Sequence, residues 1–231
     1  MKTIGIVGGI APGSTIEYYR LLVDEYRART QDNSYPPIII NSINMTKMLD
    51  LIGAKQLTET ADYIAGAVHA LVAAGAEIGL LASNTPHIAF DEIQRRSPIP
   101  LVSIVTSACD FAKARGLLRL GLFGTRFTMQ GGFYAEVFAR EGLTVVLPSA
   151  AEQEYIHDKY MGELVKAIFL PETKAELLAI VERFKVREGI DGIILGGTEL
   201  PLILRADSAH GIPLLDTGCI HVEAVLNAAM A

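Results

Sequence analysis

The chain has 231 residues, of which 50% are hydrophobic and 20% charged, and its net charge is −6 at pH 7. This length suits one large core or two smaller ones, and an acidic balance without a Lys/Arg run argues against nucleic acid and anionic membranes as partners. No segment approaches the roughly 18 uninterrupted apolar residues of a membrane span, so we expect a cytoplasmic protein with a small-molecule partner.

Short Val, Ile and Leu runs alternate with longer helical patterns along the chain, which is typical of βα units on parallel sheets. The opening "MKTIGIVGG" is broken at once by glycines and is therefore a first strand rather than a signal peptide. Most gaps between strands should hold one helix, and residues 151–189 should hold two, broken around Pro171. Strands are predicted near residues 3–8, 37–41, 77–82, 100–104, 118–123, 143–147, 191–195 and 213–215.

The two halves of the chain match each other in pattern. "IGIVGG" (4–9) corresponds to "LGLFGT" (120–125), and "GAEIGLLASNT" (75–85) corresponds to "GIDGIILGGTE" (189–199). The second match places Ser83 on Gly197 and Asn84 on Thr198. We therefore predict an α/β fold of two similar parallel-sheet domains, related by a pseudo-twofold, with an active-site cleft between them. The alternative is that any two βα units share an apolar-then-Gly pattern.

The first strand is followed by "GGIAPGST" (8–15), which comes close to a phosphate-binding loop but has Ser14 at the lysine position. No dinucleotide fingerprint is present either. What remains is a glycine turn at Gly9 and a helix start capped by Ser14 or Thr15, able to receive a carboxylate on backbone N–H groups. A plain βα turn is the alternative interpretation.

Three later strand ends also carry small polar residues. "ASNTPH" (82–87) contains Asn84 and Thr85, "GTRFT" (124–128) contains Thr125, and "GGTELP" (196–201) contains Thr198. Side chains of this kind can hydrogen-bond an anion where a helix begins, although helix capping alone explains any one of these motifs. Two such motifs at corresponding places in a doubled chain favour a shared anion site.

These loops resemble the aspartate/glutamate racemase family of cofactor-independent amino-acid racemases. The resemblance implies two α/β domains, residues 1–104 with 213–231 and residues 105–212, usually in a homodimer, with no cofactor or metal and with aspartate, glutamate or a similar dicarboxylate as substrate. It extends in order over nearly the whole chain and is carried by the segments "GIVGGIAPGSTIEYYRLL", "LLASNTPHIAFDEI", "GLFGTRFTMQGGFY", "GIILGGTELPLIL" and "LLDTGCIHVEA".

Family members use two thiols, one to remove the α-proton and one to return a proton on the opposite face. The resemblance places those thiol positions at Ser83 and Gly197, so the two-thiol mechanism cannot operate unchanged. A side chain at i+4 on a helix leans back toward residue i, so a hydrogen bond from Ser83 to His87 would make His87 a candidate catalytic residue. The alternative is a histidine that is simply part of a half-buried helix face. Cys219 does not lie at either thiol position, and Cys109 and Cys219 show no disulfide or metal spacing.

The family also carries a cationic pair for the substrate's side-chain carboxylate, and Lys47 and Lys166 lie near those places. Either lysine can equally be a solvated helix residue. Three functions stay open at this point. The chain is a racemase-type enzyme with altered catalytic groups, a binding or regulatory relative that has lost the chemistry, or a lyase or hydrolase that uses Ser83.

Overall fold

The computed structural model describes residues 1–231, and the chain divides into two compact units. The first unit comprises Met1–Ile104 and His221–Ala231, and the second comprises Val105–Ile220. The return to the first unit falls at His221 rather than at residue 213. It falls later because Ile212–Asp216 form a strand that pairs within the sheet of the second unit.

The first unit contains a parallel sheet of four strands in the order β2-β1-β3-β4. These strands are β1 (Ile4–Gly8), β2 (Ile38–Ser42), β3 (Ile78–Leu81) and β4 (Leu101–Val102). Its helices are α1 (Pro12–Thr30), α2 (Met45–Gly53), α3 (Leu57–Ala73) and α4 (Phe90–Arg96), the last preceded by a 3-10 turn at Thr85–Ala89.

The second unit contains a sheet of five strands in the order β6-β5-β7-β9-β8, parallel except for the β8–β9 pair. These strands are β5 (Arg119–Gly124), β6 (Thr144–Val146), β7 (Gly192–Gly196), β8 (Ser208–Ala209) and β9 (Ile212–Asp216). The remaining helices are α5 (Ile104–Ala114), α6 (Arg126–Gln130), α7 (Phe133–Arg140), α8 (Ala150–Gly162), α9 (Pro171–Glu188), α10 (Leu200–Leu204) and α11 (Thr217–Met230).

The predicted α/β fold of two similar parallel-sheet domains is confirmed. Each unit places its first strand between its second and third; beyond the third strand lies β4 in the first unit, and β9 followed by β8 in the second. The pair of helices broken at Pro171 is present as α8 and α9, but the gaps after β2 and β5 each hold two helices instead of one. None of the helices combines the length and apolar character needed to cross a membrane.

The core of the first unit explains why the chain returns to it. Ile4 and Ile6 of β1 are fully buried, and side chains from the last helix, including Val225 and Leu226, pack in the same cluster. Burying a side chain of this size contributes roughly 1.5–3 kcal/mol. The carboxyl-terminal half of α11 therefore belongs to the first unit through packing, although the helix begins in the second.

The repeated glycine in the first strand of each unit also has a packing reason. A Cβ added to Gly5 would lie 2.9 Å from the Ala76 Cβ, and one added to Gly121 would lie 2.5 Å from Cε1 of Phe184. Contacts this short do not occur between ordinary side chains, so each strand lets its neighbours approach only because the residue is glycine. The matching "IGIVGG" and "LGLFGT" segments thus reflect the same packing need.

Candidate functional site

In each unit the strand order reverses between the first and third strands, and ligands of open parallel sheets bind outside the carboxyl ends at such a switch point. Val7 of β1 pairs with Leu81 of β3, so the Gly9–Ala11 loop and the first turn of α1, which contains Ser14, lie beside Asn84 and Thr85. In the second unit Gly124 pairs with Gly196, which places the Thr125 and Thr198 loops side by side. We call these places the first and second carboxyl edges.

The loop after β1 is held by its own side chains. Gly9 has φ +84°, and its N–H donates to Oγ1 of Thr15 over 2.8 Å. A Cβ at Gly9 would lie 2.3 Å from the Ile43 carbonyl oxygen, so this position requires glycine for both space and backbone angle. Helix α1 begins at Pro12 and Ala11 is its N-cap, so Ser14 and Thr15 lie inside its first turns rather than at the cap.

The loop after β3 places Ser83 half-buried and buries Asn84 and Thr85. The residues that follow form a 3-10 turn rather than the start of an α-helix. Within this turn the Nδ1–H of His87 donates to the Ser83 carbonyl oxygen at 3.0 Å, and its Nε2 accepts the Ile104 N–H at 3.2 Å. Burial, reinforced by the neighbouring His221, lowers the pKa of His87 to about 3.

A second buried histidine supports the first carboxyl edge. Nε2–H of His221 donates to the Val102 carbonyl oxygen at 2.8 Å, and Nδ1 accepts the Tyr18 hydroxyl at 2.8 Å. Burial lowers the pKa of His221 to about 4, and its ring centroid lies 6.4 Å from that of His87. The sequence contains no local signal for the contact between Tyr18 and His221, because these residues are 203 positions apart.

The geometry of His87 does not support the catalytic role considered for it from the sequence. Both ring nitrogens bind backbone groups, and the bond to Ser83 reaches its carbonyl oxygen rather than its hydroxyl. A general base must hold its acceptor nitrogen toward the proton that it removes. In this arrangement His87 joins the ends of β3 and β4 and keeps Ser83 in place.

At the second carboxyl edge the loop after β5 begins α6. Oγ1 of Thr125 accepts the Thr128 N–H at 3.2 Å, so Thr125 is the N-cap. Arg126 is exposed, and its backbone N–H donates to Nδ1 of His157 at 3.1 Å. Burial, followed by the charge of Arg126, lowers the pKa of His157.

In the loop after β7, Gly197 has no side chain, and the space beside it is filled by a side chain from another element. A Cβ added to Gly197 would lie 2.3 Å from Cε2 and 2.7 Å from the hydroxyl oxygen of Tyr160, a buried residue of α8. The Tyr160 hydroxyl donates to Oε2 of Glu199, and the Thr198 hydroxyl donates to the same oxygen at 2.9 Å. The sequence carries no local signal for Tyr160, because its partner Glu199 is 39 residues away.

The two cysteines lie in different surroundings. Cys219 is exposed in the first turn of α11 and its thiol donates to Oδ2 of Asp216 at 3.2 Å. Asp216 also accepts the backbone N–H groups of Gly218 and Cys219 and so serves the start of the helix. Cys109 is buried, and burial raises the pKa of its thiol to about 11. Neither thiol lies at position 83 or 197.

Lys47 and Lys166 are exposed and lie in different units. Lys47 is in the first turn of α2, with its Nζ 4.3 Å from the Tyr63 ring centroid. It lines an open pocket on the first unit together with Asn44, Thr46 and Asp50. Lys166 ends the 3-10 turn Leu164–Lys166 that follows α8.

The chain is similar to known proteins over nearly its full length. The model of the Asp/Glu/Hydantoin racemase family matches residues 7–225. An aspartate racemase homologue from Pyrococcus horikoshii is 33% identical, with both chains covered in full and a TM-score of 0.87. A candidate Asp/Glu racemase from Yersinia pestis is 29% identical, also over both full chains, with a TM-score of 0.91. The broad specificity amino-acid racemase RacX of Bacillus subtilis is 24% identical, over 99% of this chain and 98% of its own.

Proposed function

The chain belongs to the Asp/Glu/hydantoin racemase family, and from that premise we propose that it binds an acidic amino acid and acts on it as a racemase-type isomerase with altered catalytic groups. No cofactor is part of the proposal. The observation that carries it is the pair of carboxyl edges, each at a switch point of the same strand order and each bordered by buried hydroxyl or amide side chains. The relatives named above are racemases or their homologues, which supports the same class of reaction.

The residues proposed to hold the substrate come from both edges. Gly9, Ser14, Asn84 and Thr85 belong to the first edge, and Thr125 and Thr198 to the second. Small residues and short polar side chains at strand ends let a carboxylate approach backbone N–H groups. That residues of both units contact one ligand is part of the proposal, and variants in each unit test it.

For the substrate's side-chain carboxylate we propose Lys47 and Lys166. A carboxylate contact to an ammonium group is charge-assisted and stronger than a neutral hydrogen bond. Lys47 is a candidate because its helix is capped by Asn44, directly after the chain segment that packs on Gly9. Replacing either lysine by methionine removes the charge while keeping the length, and the expected result is weaker binding of aspartate and glutamate in calorimetry. Unchanged affinity in both variants would exclude the pair.

The altered groups restrict the chemistry. Ser83 has a hydroxyl with an ordinary pKa far above that of a thiol, and the histidine beside it binds backbone groups through both nitrogens. Gly197 supplies no side chain. The proposed enzyme must therefore remove or return the α-proton with a group at one edge that differs from the thiols of its family.

The deciding experiment measures binding and proton exchange separately. The purified protein is titrated with both enantiomers of aspartate and glutamate in a calorimeter. The α-proton is then followed by NMR in heavy water, with chiral analysis of the product. Exchange with inversion supports the isomerase, and exchange with retention indicates a single working face. Binding without exchange favours a binding relative, and no heat with any of the four ligands removes the proposal.

The homodimer stays a proposal of its own. Two apolar side chains of α1, Ile16 and Tyr19, are 70% and 49% exposed, which makes this helix the first surface to test. Sedimentation of the wild-type protein should give twice the mass of 24.9 kDa, and replacing both side chains by serine should shift it toward the single chain. A wild-type protein that sediments as a single chain would contradict the proposal.

A further inference from the structure

The second carboxyl edge contains a buried phenol at the place where residue 197 would carry its side chain. The ring and hydroxyl of Tyr160 come within 2.3–2.8 Å of the position that a Cβ of Gly197 would take. No substitution at 197 fits there while Tyr160 keeps its place. Gly197 and Tyr160 are therefore complementary, since one residue lacks the side chain that the other supplies.

Helix α8 holds Tyr160 in this position. Its start is fixed by a capping box between Ser149 and Glu152. His157 and Tyr160 are three residues apart and so share a face of the helix, which is directed at the second carboxyl edge. His157 binds the loop after β5 and Tyr160 binds the loop after β7. The phenol is thus placed by a rigid helix with two contacts to the edge.

The phenol is joined to a carboxylate. Tyr160 and Glu199 are each only 6% exposed, and Oε2 of Glu199 accepts both the Tyr160 and the Thr198 hydroxyls. Burial, and then the negative charge of Glu199, raises the pKa of Tyr160 well above its usual value. The phenol therefore stays protonated at neutral pH and cannot act as a phenolate base. It can still pass its proton along the existing hydrogen bond while accepting another.

We propose that Tyr160 and Glu199 form the acid–base pair that exchanges the α-proton of the bound amino acid, with Tyr160 as the group that contacts the substrate. This inference rests on the proposed function and names the altered catalytic group. The first edge offers no such pair, because the nitrogens of His87 and His221 bind backbone groups or the Tyr18 hydroxyl.

The proposed step balances without a further reactant. The bond between the α-carbon and its hydrogen breaks, and the proton moves to the Tyr160 oxygen as the phenolic proton moves to Oε2 of Glu199. The electron pair stays on the substrate and is delocalised into its carboxylate. Glu199 is then neutral and Tyr160 is unchanged. Reversal returns the Tyr160 proton to the α-carbon as the Glu199 proton returns to the phenol, and it introduces deuterium if the Tyr160 hydroxyl proton has first exchanged with heavy water.

Tyr160→Phe is the principal variant, because it keeps the ring against Gly197 and removes only the hydroxyl. Tyr155→Phe is the matched control, because Tyr155 is a half-buried tyrosine of the same helix. The assay follows the α-proton of L-aspartate and L-glutamate in heavy water, with binding measured by calorimetry on the same samples. Loss of a positioned acid–base group typically slows a reaction by about 10²–10⁴-fold, so exchange in Tyr160→Phe should fall at least about 100-fold.

Affinity should change less than about threefold in Tyr160→Phe, because an acid–base group acts mainly on the reaction rate. Tyr155→Phe should keep the wild-type exchange rate and affinity. Glu199→Gln keeps the size of residue 199 but cannot take up a proton, so it should lose exchange as strongly as Tyr160→Phe. A purely structural role for the hydroxyl would instead lower the melting temperature and weaken binding in parallel with exchange.

The outcomes separate this inference from the proposed function. If wild-type protein exchanges the α-proton and Tyr160→Phe exchanges at the same rate, the acid–base pair is wrong while the proposed function stands. If wild-type protein binds aspartate or glutamate without any exchange, both the isomerase chemistry and the pair are wrong. Loss of exchange in Tyr160→Phe and Glu199→Gln, with binding and melting temperature retained, supports the pair.

Discussion

The two carboxyl edges share a strand order and differ in what fills them. At the first edge Ser83 carries its own side chain, and its carbonyl oxygen is bound by His87. At the second edge the corresponding Gly197 carries none, and Tyr160 from α8 occupies the space. The backbone of a repeated fold can therefore stay the same while the side chain at an equivalent position comes from another element. Position in the strand does not by itself identify the group that acts there.

The two edges also differ in the ionisable groups that they bury. The first edge buries two neutral histidines whose nitrogens are hydrogen-bonded, whereas the second buries a phenol against a carboxylate. A buried neutral network is stable only while it stays neutral, because an uncompensated buried charge is costly. The stability of the first edge should thus decrease in acid, and the stability of the second should decrease when side-chain volume is added.

Acidification should produce the largest effect. The pKa of His87 is about 3 and that of His221 about 4 in the folded chain, against about 6.5 when unfolded. Below pH 6.5 the unfolded state binds more protons at these two histidines than the folded state does. Their contribution to stability is therefore fully present above this pH and is lost as the pH decreases toward 4. Below pH 6.5 each histidine should lower the free energy of unfolding by about 1.4 kcal/mol per pH unit. The two together should lower it by about 4 kcal/mol at pH 5.

The measurement is the free energy of urea unfolding from pH 7.5 to 5, with amide hydrogen exchange to locate the loss in the first unit. His221→Gln should be less stable at pH 7.5 but should show a flatter pH dependence. Amides of the second unit should lose less protection, since His87 and His221 both lie in the first unit. Equal pH slopes in the wild type and His221→Gln would contradict the assignment.

Gly197→Ala should be the next largest change. The new methyl would overlap the Tyr160 ring, and overpacking of a buried site typically costs about 1–3 kcal/mol. Ser83→Ala is the matched change at the first edge and should cost less than about 0.5 kcal/mol, since a Cβ is already present there. Denaturant unfolding at pH 7.5 compares the two.

The double variant Gly197→Ala with Tyr160→Ala tests the cause of this loss. If the ring is the obstacle, the two changes should be less destabilising together than the sum of the single variants, with a coupling of about 0.5–3 kcal/mol. Additive effects would show that the glycine is needed for a reason other than space for Tyr160.

Tyr18→Phe should have a smaller effect. It removes the hydroxyl that donates to Nδ1 of His221 and leaves that nitrogen buried without its partner, at a cost of about 1–2 kcal/mol. The change acts on the histidine network of the first edge only. Protection of first-unit amides should fall in hydrogen exchange, while protection of second-unit amides should stay as in the wild type. Loss of protection confined to the second unit would contradict this prediction.

Thr125→Ala should have the smallest effect. It removes the side chain that accepts the Thr128 N–H, and loss of such an N-cap typically costs about 1 kcal/mol. Thr125→Ser keeps the oxygen and should restore most of this loss. The first loop provides the contrast, because Ala11 at the corresponding helix start has no side-chain cap. Melting temperatures of the two variants check the prediction, and equal losses would point to the Thr125 methyl group instead.

The sequence predicted the strands well because their signal is local. Runs such as "IGLL" at 78–81 are apolar throughout, as expected when both faces of a sheet are covered. The return to the first unit was placed too early because Ile212–Asp216 is also apolar, and its partner β7 cannot be identified from the segment alone. Extra short helices, such as α6 after Thr125, were missed because five residues are too few for a clear periodic pattern.

The sequence by itself determined the doubled α/β fold, the polar strand-end loops and the absence of thiols at positions 83 and 197. Hydrophobic period and turn residues act over a few neighbouring positions, so they can be recognised in order along the chain. Only the tertiary structure decided that His87 hydrogen-bonds the carbonyl oxygen of Ser83, and that Tyr160 and Glu199 meet beside Gly197. Such contacts join residues far apart in the chain, and only packed sheets and helices bring them within hydrogen-bond distance.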